Sequence, residues 1–351
     1  MEKEKRIKQF ATQRAVYLIL VLPFLLVPFV MLMVEQQSRG AASATEFDVM
    51  TPEEMYPPWI DEKSGALNRG VEFTVPEVEN MPDFHGNPFE ARLVIFAGGN
   101  YFFAMNRLVQ AFQEQYPALK GKVFYETLPP GIIERQLKQG NAITVGNLTL
   151  AVQPDVVQAG PQRLRDLVKA GILREPVAPF IRNTLAIMVP KENRKGIASL
   201  KDLARPGVRV ALPNPETEGV ARTIMDALRA AGGDDLVHEV YEEKVKRGEA
   251  IITDIHHRQT PLWIMQGKVD AGPVWISEAI FQESIGMPIT HTAIEEEYNQ
   301  EGLQAAAVAR DARNPGAARA WIDFLRSPEA ARILALYGME QVTAEERAAG
   351  K

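Results

Sequence analysis

The sequence predicts a mixed α/β fold in two successive halves, and three observations predict it. From residue 92 onward, short apolar runs are followed by tight Gly/Pro loops and then by segments with helical apolar spacing. The rhythm restarts after an apolar strand-like run at 183–190. A chain of 351 residues is long enough for two lobes, each with its own core.

The elements follow in order. "RLVIFAG" (92–98) reads as a buried strand, Gly98-Gly99-Asn100 as a tight loop, and "FAMNRLVQAFQEQYP" (103–117) as a helix. "KVFYETL" (122–128) is a second strand, Pro129-Pro130-Gly131 the next turn, and "IIERQLKQG" (132–140) its helix. "PDVVQAG" (154–160) and "PQRLRDLVKAG" (161–171) repeat the unit. Strand, loop and helix in repetition predict a parallel sheet with crossover helices, whose ligand sites lie beyond the carboxyl ends of the strands.

The second half runs through the strand "NTLAIMVP" (183–190), the helical turn "SLKDLARPG" (199–207) and the strand "VRVALPNP" (208–215). It continues with the helices "GVARTIMDALRAAGG" (219–233) and "LWIMQGK" (262–268), then the strand and exit "DAGPVWISE" (270–278). "AAAVAR" (305–310) is a late strand, and "NPGAARAWIDFLRSPEAARILALYGME" (314–340) forms two closing helices. The tail 341–351 is polar.

The first 34 residues differ in kind. Lys3, Lys5, Arg6, Lys8 and Arg14 precede the apolar run "AVYLILVLPFLLVPFVMLMV" (15–34), which as a helix spans roughly 30 Å, enough to cross a bilayer. The basic flank stays cytoplasmic, so the rest of the chain is exported. The run is either an uncleaved anchor or a signal cut near "ASA" (42–44). Residues 35–90 lack sustained periodicity, are rich in Pro, Glu and Asn, and read as a linker or an extended segment.

Composition excludes several classes. The hydrophobic fraction of 46% and charged fraction of 24% belong to a folded globular protein. A net charge of −6 gives no basic field for nucleic acid. The absence of cysteine removes disulfides, thiolate metal sites, thiol catalysis and a lipidated anchor. No Ser-His-Asp order, P-loop or dinucleotide fingerprint is present, so no enzyme and no cofactor are expected.

Residues 92–339 resemble the type II periplasmic solute-binding proteins of ABC transporters, closest to the molybdate-binding branch. The closing "NPGAARAWIDFLRSPEAARILALYGME" is the most specific piece. "GIIERQLKQG" before "PDVVQAG", the stretch "ALPNPETEGVARTIMDAL", and "VDAGPVWISEA" are similar to the family's segments in the same order. The resemblance implies a two-lobed clamp, with 91–182 plus 295–340 as one lobe and 183–294 as the other. It implies a periplasmic location, a small solute as ligand and an ABC permease as partner. A membrane-tethered sensor using the same clamp is the alternative.

Five places are implied to touch the solute. Gly98-Gly99-Asn100 and Pro130-Gly131 offer glycine backbone at helix starts, where the family's molybdate binders carry serines. Gly219-Val220 offers backbone N–H groups only. His257 and Arg258 fall in "TDIHHRQTP" (253–261), where Thr253 or Asp254 caps a helix and leaves His256, His257 and Arg258 in its first turn. Trp275 stands where the family has a tyrosine. These groups donate hydrogen bonds and few accept them, which favours an oxyanion or a small acid. Adjacent helical histidines point about 100° apart and no His-x-x-x-His spacing is present, so no metal is expected.

Overall fold

The computed structural model describes residues 84–145, 148–253, 256–343 and 346. The basic flank and apolar run of 1–34, most of the 35–90 segment and most of the 341–351 tail lie outside those residues. Among the described residues no helix is long and apolar enough to cross a membrane.

The strands are β1 (Phe84–His85), β2 (Leu93–Gly98), β3 (Val123–Leu128), β4 (Ala142–Val145), β5 (Leu148–Ala151), β6 (Val156–Ala159) and β7 (Leu173–Pro190). They continue as β8 (Val210–Leu212), β9 (Ala250–Ile252), β10 (Gly272–Trp275), β11 (Ile289–Ala293), β12 (Glu301–Ala309) and β13 (Glu340–Gln341). The principal helices are α1 (Phe102–Gln115), α2 (Pro130–Lys138), α3 (Pro161–Lys169), α4 (Gly219–His238), α5 (Gln259–Met265), α6 (Ile276–Ser284), α7 (Pro315–Leu325) and α8 (Pro328–Ala335). Proline begins α2, α3, α7 and α8, where its missing N–H costs nothing.

One nine-stranded sheet runs β1-β3-β2-β6-β12-β7-β10, with β11 and β13 also paired to β7. The parallel sheet expected from the βαβ rhythm holds for β2 with β3 and β6. Within this sheet it ends there, because β12 runs antiparallel to both β6 and β7, and β10 and β11 run antiparallel to β7; β8 and β9 pair in parallel in a separate two-stranded sheet. The strand read at 183–190 is the far end of an 18-residue strand. Polar residues on its first half, Arg174-Glu175 among them, hide that half from an apolar-run search.

Strand alternation assigns the cores. On β2, Leu93, Ile95 and Ala97 face a core shared with Leu108 and Phe112 of α1 and Trp321 and Phe324 of α7. Val94 and Phe96 face the opposite core, with Ile132 of α2 and Leu164 of α3. On the far half of β7, Leu185, Ile187 and Val189 join Ile224 and Leu228 of α4, while Met188 joins Trp263 of α5. One long sheet therefore carries two lobes, each covered on both faces by helices. Ile294 still packs in the second lobe and Ala305 already in the first. Between them Asn299 bonds both the N–H and the C=O of Leu185, at 3.0 Å each.

Other departures are local. Backbone geometry in α4 breaks at Gly232 and Gly233, where the sequence ends the helix, but helical structure resumes after them. The β4–β5 hairpin and β11 carry no clear apolar run and were not anticipated. Helix α5 starts at Gln259, so His256, His257 and Arg258 precede it and do not form its first turn. Thr253 caps nothing there, because its hydroxyl donates to Glu218; Asp254 lies outside the described residues.

Candidate functional site

Strand-to-helix turns from both lobes meet at one cleft. The first lobe contributes Gly99 and Asn100 after β2, Pro130 at the start of α2, and Gly160 to Arg163 at the start of α3. The second contributes Glu218 just before α4, Gly219, Val220, Arg222 and Thr223 of α4, and His256, His257 and Trp275. Gly302, Leu303 and Gln304 of β12 complete the wall. The cleft volume is about 220 Å³, below the roughly 300–1,000 Å³ of sites for drug-sized ligands. The cleft suits a small solute.

Its polar groups are mostly donors. Neither α3 nor α4 has a side-chain cap, so first-turn N–H groups lack intrahelical acceptors and the helix ends carry partial positive charge. Gln162, Arg163, Gly219 and Val220 of those two turns all lie on the wall. Asn100 is buried, and its Nδ2 finds no acceptor among the described residues. Arg163 pairs with Glu134, whereas Arg222 makes no ion pair among the described residues.

His256 adds a neutral donor. Its Nδ1 accepts the N–H of Arg258 at 3.1 Å, which leaves the proton of the uncharged ring on Nε2. Burial, reinforced by His257 and Arg258, holds its pKa well below the usual value of 6.5. Across the cleft, a Cβ on Gly99 would stand 2.2 Å from that Nε2, so only glycine allows the approach.

His257 is in the opposite state. Its Nδ1 bonds the Glu218 carboxylate, its backbone N–H donates to Glu218 Oε2 at 2.7 Å, and its Nε2 lies 2.7 Å from Glu278 Oε1. Burial pushes its pKa down, but Glu278 and Glu218 outweigh that and raise it to about 10. Glu218 is thereby closed off, since its Oε1 also accepts the Asn214 N–H at 2.9 Å and the Thr253 hydroxyl. Glu278 further accepts the backbone N–H of Trp275 at 3.3 Å, which ties the start of α6 to the same network.

Glu218, His256 and His257 offer three ligand atoms within 4.8 Å of one another. Each is already committed to the bonds above, and a cation would have to displace His257's proton as well as backbone donors. The arrangement is a buried hydrogen-bonded ion network.

Of the residues singled out from sequence, the cleft brings together Gly99, Asn100, Pro130, Gly219, Val220, His257 and Trp275. Three stand off its wall. Gly98 lies one residue behind, where a Cβ would meet Asn100 Oδ1 at 3.1 Å. Gly131 spends its N–H on Thr217 O at 3.0 Å and has no donor left for a solute. Arg258 turns under the cleft, where Nη2 donates to Thr127 O at 2.9 Å and the guanidinium lies 4.9 Å above the Phe102 ring.

Sequence reasoning missed the α3 turn, Arg222, Thr223 and the β12 segment. The α3 turn was legible, because Gly160-Pro161 follows a strand as the two earlier turns do. Arg222 and Thr223 lie three and four residues after Gly219, on the same helical face. Nothing local marks Gly302 to Gln304.

A sequence profile of bacterial extracellular solute-binding proteins matches residues 93–340. The chain belongs to this family. Among curated relatives of this solute-binding protein, the molybdate-binding protein ModA of Mycobacterium tuberculosis is 26% identical over 208 residues, 58% of this chain and 72% of that one. The fold is shared with the sulfate-binding protein SubI of Mycobacterium tuberculosis, at TM-score 0.61 and 22% identity over 73% of this chain and 89% of that one. It is also shared with the periplasmic binding protein AfuA of Actinobacillus pleuropneumoniae, at TM-score 0.57 and 16% identity over 73% and 86%. Members of this family act outside the cytoplasm and capture solutes without turning them over.

Proposed function

We propose that the cleft captures a small anion, a molybdate- or tungstate-like oxyanion or a small acid, and delivers it to an ABC transporter permease. The supporting observation is the charge balance of the wall. Two uncapped helix starts, the Asn100 amide, the His256 Nε2–H and Arg222 all offer positive or donor character. Glu218, the one carboxylate among the lining residues, is saturated by donors from its own lobe. A desolvated anion needs several convergent donors, and a neutral sugar would want acceptors as well. Relatives named for molybdate and sulfate agree with this reading. The apolar run at 15–34 holds the protein at the outer face of the inner membrane, either as a retained anchor or until cleavage.

A thermal-shift panel on the detergent-solubilised full chain tests the proposal, with molybdate, tungstate, sulfate, phosphate, dicarboxylates, amino acids and neutral sugars. An anion held at ~100 times its dissociation constant should raise the melting temperature by roughly 5–10 °C. Stabilisation by a sugar and by no anion would refute the anionic ligand. Membrane retention on detergent-free fractionation tests the anchor.

A further inference from the structure

We propose that Arg258 is a positioning residue that holds the two lobes together through contacts in which the solute takes no part. Arg258 belongs to the segment leading into α5, whose Trp263 and Ile264 pack in the second lobe. Its side chain nevertheless ends in the first lobe. Nη2 donates to the main-chain oxygen of Thr127 on β3 at 2.9 Å, and the guanidinium lies 4.9 Å over Phe102 at the start of α1. Thr127 and Phe102 are both absent from the cavity wall, and Arg258 is only 4% exposed.

A charged donor on a carbonyl, stacked on an aromatic face and shielded from water, is a strong contact for its size. Another direct interlobe hydrogen bond among the described residues, Gly131 N–H to Thr217 O at 3.0 Å, is main chain on both sides. Phe281 of α6 adds an apolar contact to Phe102 and Phe103, so Arg258 is the buried polar side chain that supports closure beside it. Apparent affinity scales with the fraction of protein already closed. The latch therefore raises affinity for any solute that fits, by a factor that does not depend on solute charge. A guanidinium in direct contact with an anion would behave differently, weakening dianions more than monoanions when removed.

The absence of cysteine lets a dye pair be attached through Lys120→Cys and Lys268→Cys, exposed positions on the first and second lobes. Single-molecule energy transfer on the ligand-free full chain should resolve a closed population. Arg258→Ala should lower the closed-to-open ratio by about tenfold or more, with Arg258→Lys between the two. A merely structural arginine would shift the melting temperature and leave this ratio alone. Should Arg258→Ala not fold, Phe102→Leu, which removes the ring beneath the guanidinium, must move the ratio in the same direction. A ligand-free parent that is uniformly open, or a ratio unchanged by these substitutions, overturns the proposal. Neither outcome bears on whether the solute is an anion.

Discussion

His256 and His257 stack with ring centroids 4.2 Å apart and planes 25° from parallel, yet they hold opposite charge states. His257 is an imidazolium clamped between Glu218 and Glu278. His256 sees the same burial, but its nearest charged neighbours include the cations His257 and Arg258. One step along the chain thus separates a fixed charge from a neutral donor.

Stability should therefore pass through a maximum near the ordinary histidine pKa of 6.5. Below it, unfolded His256 takes up a proton that the folded ring refuses, so stability falls as pH falls. Above it, folded His257 keeps a proton that the unfolded chain releases, so that contribution is lost between pH 6.5 and about 10. Urea unfolding across this range measures both slopes. His257→Gln should flatten the alkaline slope and cost about 3–5 kcal/mol at pH 6.5, because two buried carboxylates lose their cation. An alkaline slope identical to the parent's would contradict the charge assignment.

Arg222→Ala should weaken binding of molybdate or sulfate by about 1.5–3 kcal/mol, the range for hydrogen bonds to charged groups. It is exposed and makes no ion pair among the described residues, so ligand-free stability should stay within about 0.5 kcal/mol of the parent. Titration calorimetry at two salt concentrations measures the loss, which should shrink as salt rises, and urea unfolding measures the ligand-free stability. Equal affinity in variant and parent would remove Arg222 from the site.

Much of the site's frame was legible because backbone chemistry announces itself. Gly99, Pro130 and Gly219 each sit where a strand's apolar run gives way to helical spacing, and all three reach the cleft. What stayed hidden depends on long-range pairing. Nothing local marks Glu218, which gathers Asn214 and Thr253 and reaches His257, 39 residues along the chain. Arg258 was misplaced because its role depends on where α5 begins, and helix starts are set to within a few residues by sequence pattern. The fold followed the same division. The strand–helix units were evident, while the antiparallel β12 and the full length of β7 depend on partners far away in sequence.

Gly99→Ala should separate closure from folding. In the closed cleft its Cβ would stand 2.2 Å from His256 Nε2, with that ring fixed by the Arg258 N–H and fully buried. With the lobes apart the methyl group meets nothing from His256. Affinity for molybdate or sulfate should fall by about tenfold or more, since overpacking of a fixed ring costs about 1–3 kcal/mol. Ligand-free scattering should report a larger radius of gyration, and an unchanged affinity would mean that the ring yields.

Gly302→Ala tests whether Trp275 is held as firmly as its contacts imply. A Cβ there would sit 2.0 Å from the far edge of the indole, Cη2, on the β12 side of the cleft. The indole has little room to retreat. The residue is only 4% exposed, its ring packs in the second lobe's core, and its backbone N–H is tied to Glu278 at 3.3 Å. The substitution must therefore displace either the β12 backbone at the lobe crossing or the tryptophan itself. Either response should destabilise the ligand-free protein by about 1–3 kcal/mol, in contrast to Arg222→Ala. Displacement of the tryptophan would also shift its fluorescence and disturb the Glu278–His257 contact. Pairing Gly302→Ala with Trp275→Phe, which shortens the ring, should recover most of the lost stability. A double variant no more stable than Gly302→Ala would place the strain in the β12 backbone instead.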